Sequence, residues 1–231
     1  MTTSRRADAA ARPAPDRDCP LCPRLVAFRA AQRAAEPDWF NAPVPAFGPD
    51  DAALLVVGLA PGRRGANRTG RPFTGDFAGE ILYPALARHG FGRGVFDARV
   101  DDGFALVGCR IVNAVRCVPP ANKPTPAEIG TCRRFLVGEI AACAAPPPPR
   151  VILALGRIAH ESVLRAVGVP LRRHPFGHGA AQALPSGQTL LSSFHTSRYN
   201  VNTGVLTPAM FDAVVAQAVL LLGRDAGVSA R

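Results

Sequence analysis

The sequence predicts an α/β fold, a three-layer α/β/α sandwich whose central sheet has four mainly parallel strands. Two short apolar runs, residues 53–57 and 151–155, are each followed by a glycine, which is typical of buried parallel strands. Segments with helical spacing of apolar residues separate the predicted strands, and this alternation favours a parallel sheet with helices on both faces. In such folds the ligand site lies beyond the carboxyl ends of the strands.

The predicted elements follow one another without an internal repeat. We expect residues 1–18 to form a flexible arm and residues 19–231 a single domain, because the chain is short for two domains. The spacing of Leu21, Leu25 and Phe28 predicts the first helix, and Thr125 is the candidate cap of the third. In chain order the predicted helices are 20–35, 77–89, 127–143, 158–167 and 208–222, the predicted strands are 53–57, one within 104–115, 151–155 and 189–193, and residues 146–149 form a linker.

The charge of the chain indicates a polyanionic partner. The 27 Lys and Arg residues against 17 Asp and Glu residues give a formal net charge of +10, which favours nucleic acid. Three stretches, 52–75, 103–127 and 162–211, carry several basic residues and no acidic one. The alternative is that these arginines cover an ordinary solvated surface.

No segment predicts secretion or a membrane span. The N-terminal residues lack a continuous apolar stretch, so a signal peptide is not expected. The longest apolar run, 213–222, contains Gln217 and is only as long as a core helix. We therefore expect a cytoplasmic protein without a membrane partner.

Four of the six cysteines are candidate metal ligands. In a cytosolic chain, cysteines are more often ligands or buried thiols than disulfides. Cys19 and Cys22 form a close pair at the start of a predicted helix, and Cys117 and Cys132 flank a proline-rich excursion that could bring them together. Four thiolates can hold zinc or an iron–sulfur cluster, and the spacing leaves that choice open. Cys117 and Cys132 could also be core thiols, which is the ordinary interpretation of Cys109 and Cys143.

The glycine-rich segment after the first predicted strand does not fit a nucleoside-triphosphate site. Gly65, Gly70 and Arg71 approach a P-loop pattern, but Pro72 stands where the Lys-Ser/Thr pair is required. A dinucleotide site is unsupported as well, since the chain contains no G-x-G-x-x-G run.

Three ordered motifs resemble those of the uracil-DNA glycosylase superfamily in its family-5 form, the type B, iron–sulfur-containing branch. Residues 58–76 read GLAPGRRGANRTGRPFTGD and resemble its first motif, and residues 195–204 read HTSRYNVNTG and resemble its second. Residues 113–117 read NAVRC and, with Cys132, resemble the segment between them. The resemblance extends from about Cys19 to about Phe211.

The resemblance implies a monofunctional DNA glycosylase that hydrolyses the N-glycosidic bond of deaminated bases in DNA and leaves an abasic site. Uracil is the expected base, together with hypoxanthine and xanthine. No protein partner is implied, so we expect a monomer whose partner is DNA containing deaminated bases. The implied cofactor is a 4Fe-4S cluster held by Cys19, Cys22, Cys117 and Cys132. The implied site residues are Gly58, Ala60, Phe73 and Asn113 for the base, Asp76 and His195 for catalysis, and Arg63, Ser197, Arg198 and Tyr199 for DNA.

These residue types suit the chemistry independently of the resemblance. A base must leave the duplex to be reached, so the pocket needs a stacking face, which Phe73 can supply, and polar atoms for the Watson–Crick edge. The Asn113 amide can donate to uracil O4 and accept from N3–H, whereas cytosine reverses both roles. His195 can donate to the departing base, and Asp76, the sole carboxylate near the first motif, can position water beneath the sugar.

Each catalytic assignment has an ordinary alternative. Asp76 could be the N-cap of the helix at 77–89, and His195 could be a hydrogen-bonded histidine at a strand end. Tyr199 stands where relatives insert a wedge into the base stack, but a surface tyrosine fits equally well. The second motif departs from the family's His-Pro-Ser-Pro pattern at Thr196 and Arg198.

Two other functions compete with base excision. A non-catalytic nucleic-acid-binding module with a structural metal site would account for the charge and the cysteines. An iron–sulfur electron carrier would account for the cysteines, but it gives no reason for Asn113, His195 and the acid-free loops.

Overall fold

A computed structural model describes residues 13–142 and 150–223. Its helices are α1 (Pro23–Ala35), α2 (Ala66–Thr69), α3 (Phe77–Arg88), α4 (Pro126–Ala142), α5 (Arg157–Ala166), α6 (Arg198–Asn202) and α7 (Pro208–Leu221). Its strands are β1 (Leu54–Gly58), β2 (Gly92–Arg93), β3 (Ala105–Leu106), β4 (Cys109–Asn113), β5 (Val151–Leu155), β6 (Ala181–Ala183) and β7 (Thr189–Ser193).

The central sheet has the strand order β4-β1-β5-β7-β6. Strands β4, β1, β5 and β7 are parallel, and β6 pairs antiparallel with β7 at the edge. The mainly parallel sheet is therefore confirmed, and its four parallel strands are the predicted ones. The fifth strand was not predicted, because β6 is short and carries no apolar pattern. Strands β2 and β3 form a separate antiparallel pair.

Side chains of the parallel strands point alternately into two apolar layers, which gives the predicted three-layer sandwich. Leu54 and Val56 of β1 pack in the layer that α3 and α7 cover. Leu55 and Val57 pack in the layer that α4 and α5 cover. All four side chains are fully buried, and burial of each contributes about 1.5–3 kcal/mol. Alternation along a strand that is buried on both faces explains its unbroken apolar sequence.

A smaller apolar cluster joins α1 to the start of α4. It contains Leu25 of α1, Phe135 of α4 and the thiols of Cys117 and Cys132. The predicted cap at Thr125 is confirmed as half of a reciprocal capping pair. The Thr125 hydroxyl accepts from the Glu128 backbone N–H at 3.2 Å, and the Glu128 carboxylate accepts from the Thr125 N–H at 2.7 Å.

Several predictions cannot be compared with the structure. Residues 1–12, the linker at 146–149 and Cys143 lie outside the described residues. Within the described residues, no helix is both long and apolar enough to span a bilayer.

Candidate active site

The candidate site lies at the carboxyl ends of the parallel strands, as expected for this architecture. Gly58 and Asn113 are register partners at the last positions of β1 and β4. The ends of β5 and β7 lie on the same edge of the sheet, where Leu155 pairs with Ser193. His195 follows two residues after Ser193, so the sheet brings the first, middle and second motifs to one edge.

Gly58, Phe73 and Asn113 pack together at this edge of the sheet and form the candidate base-binding site. A Cβ atom on Gly58 would overlap the Asn113 Oδ1 atom and would lie 2.6 Å from Cζ of the Phe73 ring. Phe73 has a left-handed backbone, with φ of 52°, a conformation that a non-glycine residue adopts at a cost. Asn113 Oδ1 is buried and finds no hydrogen-bond partner among the described residues. A buried acceptor of this kind fits a ligand that brings its own donor.

His195 lies beside Phe73. Its ring centroid is 6.2 Å from that of Phe73, with the two planes 36° apart. The Asn200 side chain donates to the His195 carbonyl at 2.8 Å and fixes the backbone there. Burial lowers the pKa of His195, so the neutral imidazole, with one N–H to donate, persists to lower pH than for an ordinary histidine. His195 lies two residues after the end of β7. Among the described residues its carbonyl accepts a hydrogen bond and its ring nitrogens show none, so the ring can donate to a ligand.

Asp76 is the N-cap of α3, as its alternative assignment predicted. Its Oδ1 accepts from the Gly79 backbone N–H at 3.3 Å, and its Oδ2 lies against the Cα atoms of Gly62 and Gly65, which leave no room for a side chain. Burial raises the pKa of Asp76, an effect that the N–H donors of Gly79 and Ala78 only partly offset. The cap therefore holds a desolvated carboxylate at one place within the first motif.

Cys19, Cys22, Cys117 and Cys132 line a single cavity between α1 and α4. Arg29 donates to the Cys117 sulfur at 3.5 Å, and the Arg116 backbone N–H donates to the Cys132 sulfur at 3.4 Å. Burial raises the pKa of Cys117 and of Cys132 to about 11.

The four thiols form a donor set that fits an iron–sulfur cluster, and four thiolates also fit zinc. The described residues contain no group of three or more His, Cys, Asp or Glu side chains already in the geometry of a metal site. Two of the sulfurs accept N–H donors, a contact that is common around metal-bound thiolates. Ala60 packs against the apolar residues around these thiols, so the first motif connects the cysteines to the candidate base-binding residues.

The four residues expected to contact DNA have different surroundings. Tyr199 is 74% exposed and lies on α6 beside Arg198, whose guanidinium stacks over the Phe77 ring at 5.1 Å. The Ser197 hydroxyl caps α6 by accepting from the Asn200 N–H at 3.3 Å. Arg63 contacts α1 instead, since it donates to the Gln32 side chain and lies 3.6 Å from a Glu36 oxygen.

A cleft of about 310 Å³ adjoins His195 at the start of α5. Phe176, Phe194 and Asn200 line it together with Arg157, whose guanidinium lies 5.1 Å from the Phe176 ring centroid. His195 and Asn200 belong to the second motif, whereas Arg157, Phe176 and Phe194 were not predicted to lie at the site. Phe176 lies in a loop without a recognisable motif.

The fold and the site define a class: an α/β protein whose mainly parallel central sheet brings a buried amide, an aromatic ring and a histidine together at the carboxyl ends of its strands. The family model described as "Uracil DNA glycosylase superfamily" matches residues 45–219. The chain belongs to this superfamily.

The curated relatives extend over most of the chain. It is 47% identical over 211 residues to a protein named type-5 uracil-DNA glycosylase from Thermus thermophilus, covering 89% of this chain and 94% of that one. A protein of the same name from Mycobacterium leprae is 43% identical, covering 89% and 92%. The one from Pyrobaculum aerophilum is 37% identical, covering 87% and 88%. The resemblance to the type-5 branch is thereby confirmed.

Proposed function

We propose that the protein is a DNA glycosylase that removes uracil from DNA by hydrolysing its N-glycosidic bond. The observation that carries the proposal is the buried Asn113 Oδ1, which has no hydrogen-bond partner among the described residues. It lies beside Gly58 and the Phe73 ring, and the Phe73 ring centroid is 6.2 Å from that of His195. The names of the relatives support the same activity.

The pocket residues account for recognition of a flipped base. Phe73 stacks on the ring, and Gly58 lets Phe73 and Asn113 lie close enough together to act on one base. Asn113 accepts from uracil N3–H through Oδ1 and donates to O4 through Nδ2, so cytosine meets two mismatched groups. An analogue that leaves buried polar groups unpaired is strongly rejected.

Asp76 and His195 account for bond cleavage. As the C1′–N1 bond breaks, the base leaves with the bonding electron pair and the sugar becomes cationic. The His195 N–H stabilises the developing charge on base O2. The Asp76 carboxylate stabilises the sugar, orients water toward C1′ and takes the proton that this water releases. Leu59 and Ala60 carry no polar side-chain atom, so the carboxylate of this motif falls to Asp76.

The mechanism requires no covalent enzyme–sugar intermediate, and we therefore propose a monofunctional enzyme. An amine nucleophile of the Schiff-base type would have to be a lysine or the N-terminus. Lys123 is the only lysine in the sequence. Its side chain is exposed, and its carbonyl accepts from Arg24 of α1, so it belongs to the side of the molecule that carries the cysteines.

Hypoxanthine and xanthine are proposed as further substrates. Both present a carbonyl beside a ring N–H, which is the edge that the Asn113 amide pairs with in uracil. The open cleft next to His195 gives room for a larger ring system than uracil requires.

A 4Fe-4S cluster is proposed as the cofactor of the four-cysteine cavity. When bound, it would supply no step of hydrolysis and would cross-link α1 to α4. Cys19 and Cys22 would hold it from the start of α1, and Cys117 and Cys132 from the other side of the cavity. Arg29 and the Arg116 N–H would donate to the ligand sulfurs.

The proposal is tested with matched duplexes that carry one uracil, hypoxanthine, xanthine or cytosine. We expect release of free uracil and of both deaminated purines, with the strand left intact at the abasic site until alkali is added. Strand cleavage without alkali would contradict monofunctional chemistry. Tight DNA binding without base release from any duplex would favour the non-catalytic binding module.

A further inference from the structure

The turn that presents Phe73 and Asp76 has an irregular backbone. Between Gly70 and Asp76, three residues have a left-handed conformation: Gly70 with φ of 79°, Phe73 with 52° and Gly75 with 83°. One backbone hydrogen bond, from Thr74 N–H to the Arg71 carbonyl at 3.3 Å, lies within this segment. Side chains supply its other ties, among them the Thr69 hydroxyl to the Arg71 and Thr74 backbone and the Tyr83 hydroxyl to the Pro72 carbonyl.

Arg71 is the charged tie of the turn and contacts Thr74. It is 6% exposed, and its Nε donates to the Thr74 hydroxyl at 2.7 Å. Thr74 is fully buried and directly follows Phe73. The Arg71 guanidinium also lies 5.3–5.6 Å from the ring centroids of Phe47, Tyr83 and Phe96, so aromatic faces hold the cation where water cannot reach it.

Asp102 holds the other side of the guanidinium. Its two oxygens accept from Arg71 Nη1 at 2.9 Å and from Nη2 at 2.7 Å, and its side chain is 1% exposed. The backbone N–H groups of Asp97 and Phe104 donate to the same carboxylate at 3.1 and 2.9 Å. These two donors fix the Asp102 carboxylate within its own loop. Its hydrogen bonds to the guanidinium then fix the position of Arg71.

We infer that Arg71 and Asp102 are positioning residues for base excision, because their buried ion pair, acting through Thr74, fixes the ring of Phe73 over the base and the carboxylate of Asp76 at the sugar. The inference rests on the proposed function. Neither residue lines the pocket, and the family resemblance assigned no role to either.

The geometry explains why a charged pair suits this role. The guanidinium is planar and makes three directed hydrogen bonds in one plane, to Thr74 and to both Asp102 oxygens, which an apolar residue could not replace. Thr74 lies between Phe73 and Asp76 in the chain. If its hydroxyl loses the hydrogen bond to Arg71, the backbone of the turn can shift and displace both neighbours. Misplacement of reacting groups by about 1 Å can lower a rate about a hundredfold.

The test uses Asp102→Asn, Thr74→Val and Thr74→Ser in the full-length protein. Asp101→Asn is the matched control, since Asp101 is the neighbouring residue and forms an exposed ion pair with Arg99 at 3.0 Å. Three quantities are measured well below the melting temperature: the single-turnover rate on a uracil duplex, the affinity for an undamaged duplex, and competitive inhibition by free uracil.

We expect Asp102→Asn and Thr74→Val to lower the rate at least about tenfold and to weaken inhibition by uracil, with unchanged affinity for undamaged DNA. Thr74→Ser keeps the hydroxyl and should restore both values, as Asp101→Asn should preserve them. A purely structural role would lower the melting temperature and leave uracil inhibition unaltered, which would overturn the inference.

Where Asp102→Asn does not fold, the pair Thr74→Val and Thr74→Ser decides alone, because both keep the ion pair. Wild-type rate and uracil inhibition in Thr74→Val would then overturn the inference. An inactive wild-type protein would instead contradict the proposed function, so the two failures are distinguishable.

Discussion

Gly58 and Asn113 are register partners at the ends of β1 and β4, and the missing side chain of Gly58 lets the Asn113 amide and the Phe73 ring pack closely against its backbone. A methyl group at position 58 would overlap the amide oxygen and lie against the ring. The close placement of Asn113 and Phe73 therefore depends on a buried strand that ends in glycine.

Gly58→Ala should displace the Asn113 amide and the Phe73 ring from their observed positions. We expect excision of uracil to fall about a hundredfold or more, because the two groups that would hold the base are misplaced. Binding to an undamaged duplex should stay near the wild-type value, since Gly58 is buried. Single-turnover kinetics and duplex titrations give the two quantities. Normal excision by this variant would show that the base binds elsewhere.

Asp76→Asn should separate the cap from the chemistry. Asparagine is as good an N-cap as aspartate, but it cannot take a proton from water. We expect the rate of base release to fall by about 10²–10⁴-fold with little change in DNA affinity. Equal rates for the two proteins would leave Asp76 as a helix cap only.

The free energy of unfolding of Asp76→Asn, compared with that of wild type, should also show that the Asp76 carboxylate is desolvated. Because burial raises the pKa of Asp76 in the folded state, the folded chain binds that proton more tightly than the unfolded chain does. The ionised carboxylate thus destabilises the fold above the raised pKa, and wild type gains stability relative to Asp76→Asn as pH falls through it. Denaturant unfolding of both proteins between about pH 8 and about pH 4 measures the difference. A pH-independent difference would contradict the desolvated carboxylate.

Burial lowers the pKa of His195 below its ordinary value of 6.5, so its imidazole should be mostly neutral at pH 6.5. The ¹⁵N shifts of its ring should report neutral imidazole at that pH. His195→Ala should lower the rate by about 10²–10³-fold, as expected for loss of a donor at a developing anion. An imidazolium signal near neutrality would overturn the neutral-donor role.

Cys19→Ala and Cys132→Ala should lose iron and sulfide together. The purified wild type should be brown and contain both elements, because all four thiols line one cavity. Cys109→Ala is the matched control, as Cys109 is fully buried in the main core. Stoichiometric zinc without iron in anaerobically prepared protein would contradict the cluster.

DNA binding should weaken steeply with salt, since phosphate contacts release counterions. Arg198→Ala should reduce the slope by about one ion without altering base preference. Arg63→Ala should have a smaller effect, because Arg63 is held by Gln32 of α1 and by Glu36, the residue that follows this helix. If Arg63→Ala weakened DNA binding more than Arg198→Ala does, Arg63 would be a DNA contact as the sequence predicted.

The sequence predicted the elements that local patterns specify. The strand at 151–155 and the start of α3 were predicted at their observed positions because a continuous apolar run and a capping aspartate are local signals. The edge strand β6 was missed, since Ala181, Gln182 and Ala183 pack against no apolar layer that would shape their sequence.

The site residues that belong to a motif could be predicted from the sequence. Those that act through a contact between distant parts of the chain could not. Phe73, Asn113 and His195 came from motifs, and the sheet register that joins them follows from parallel pairing. Arg71 and Asp102 are 31 residues apart in sequence. Asp102 belongs to an ordinary polar loop, and nothing local distinguishes its buried carboxylate from the exposed one of Asp101.

Asp76, Asn113 and His195 should act together to excise uracil. Single-turnover release of free uracil from a duplex with one uracil is measured for wild type and for Asp76→Asn at equal DNA occupancy. Wild type should release all the uracil and leave an intact abasic strand, and the variant should react about 10²–10⁴-fold more slowly. Full occupancy without uracil release by the wild type would contradict base excision at this site.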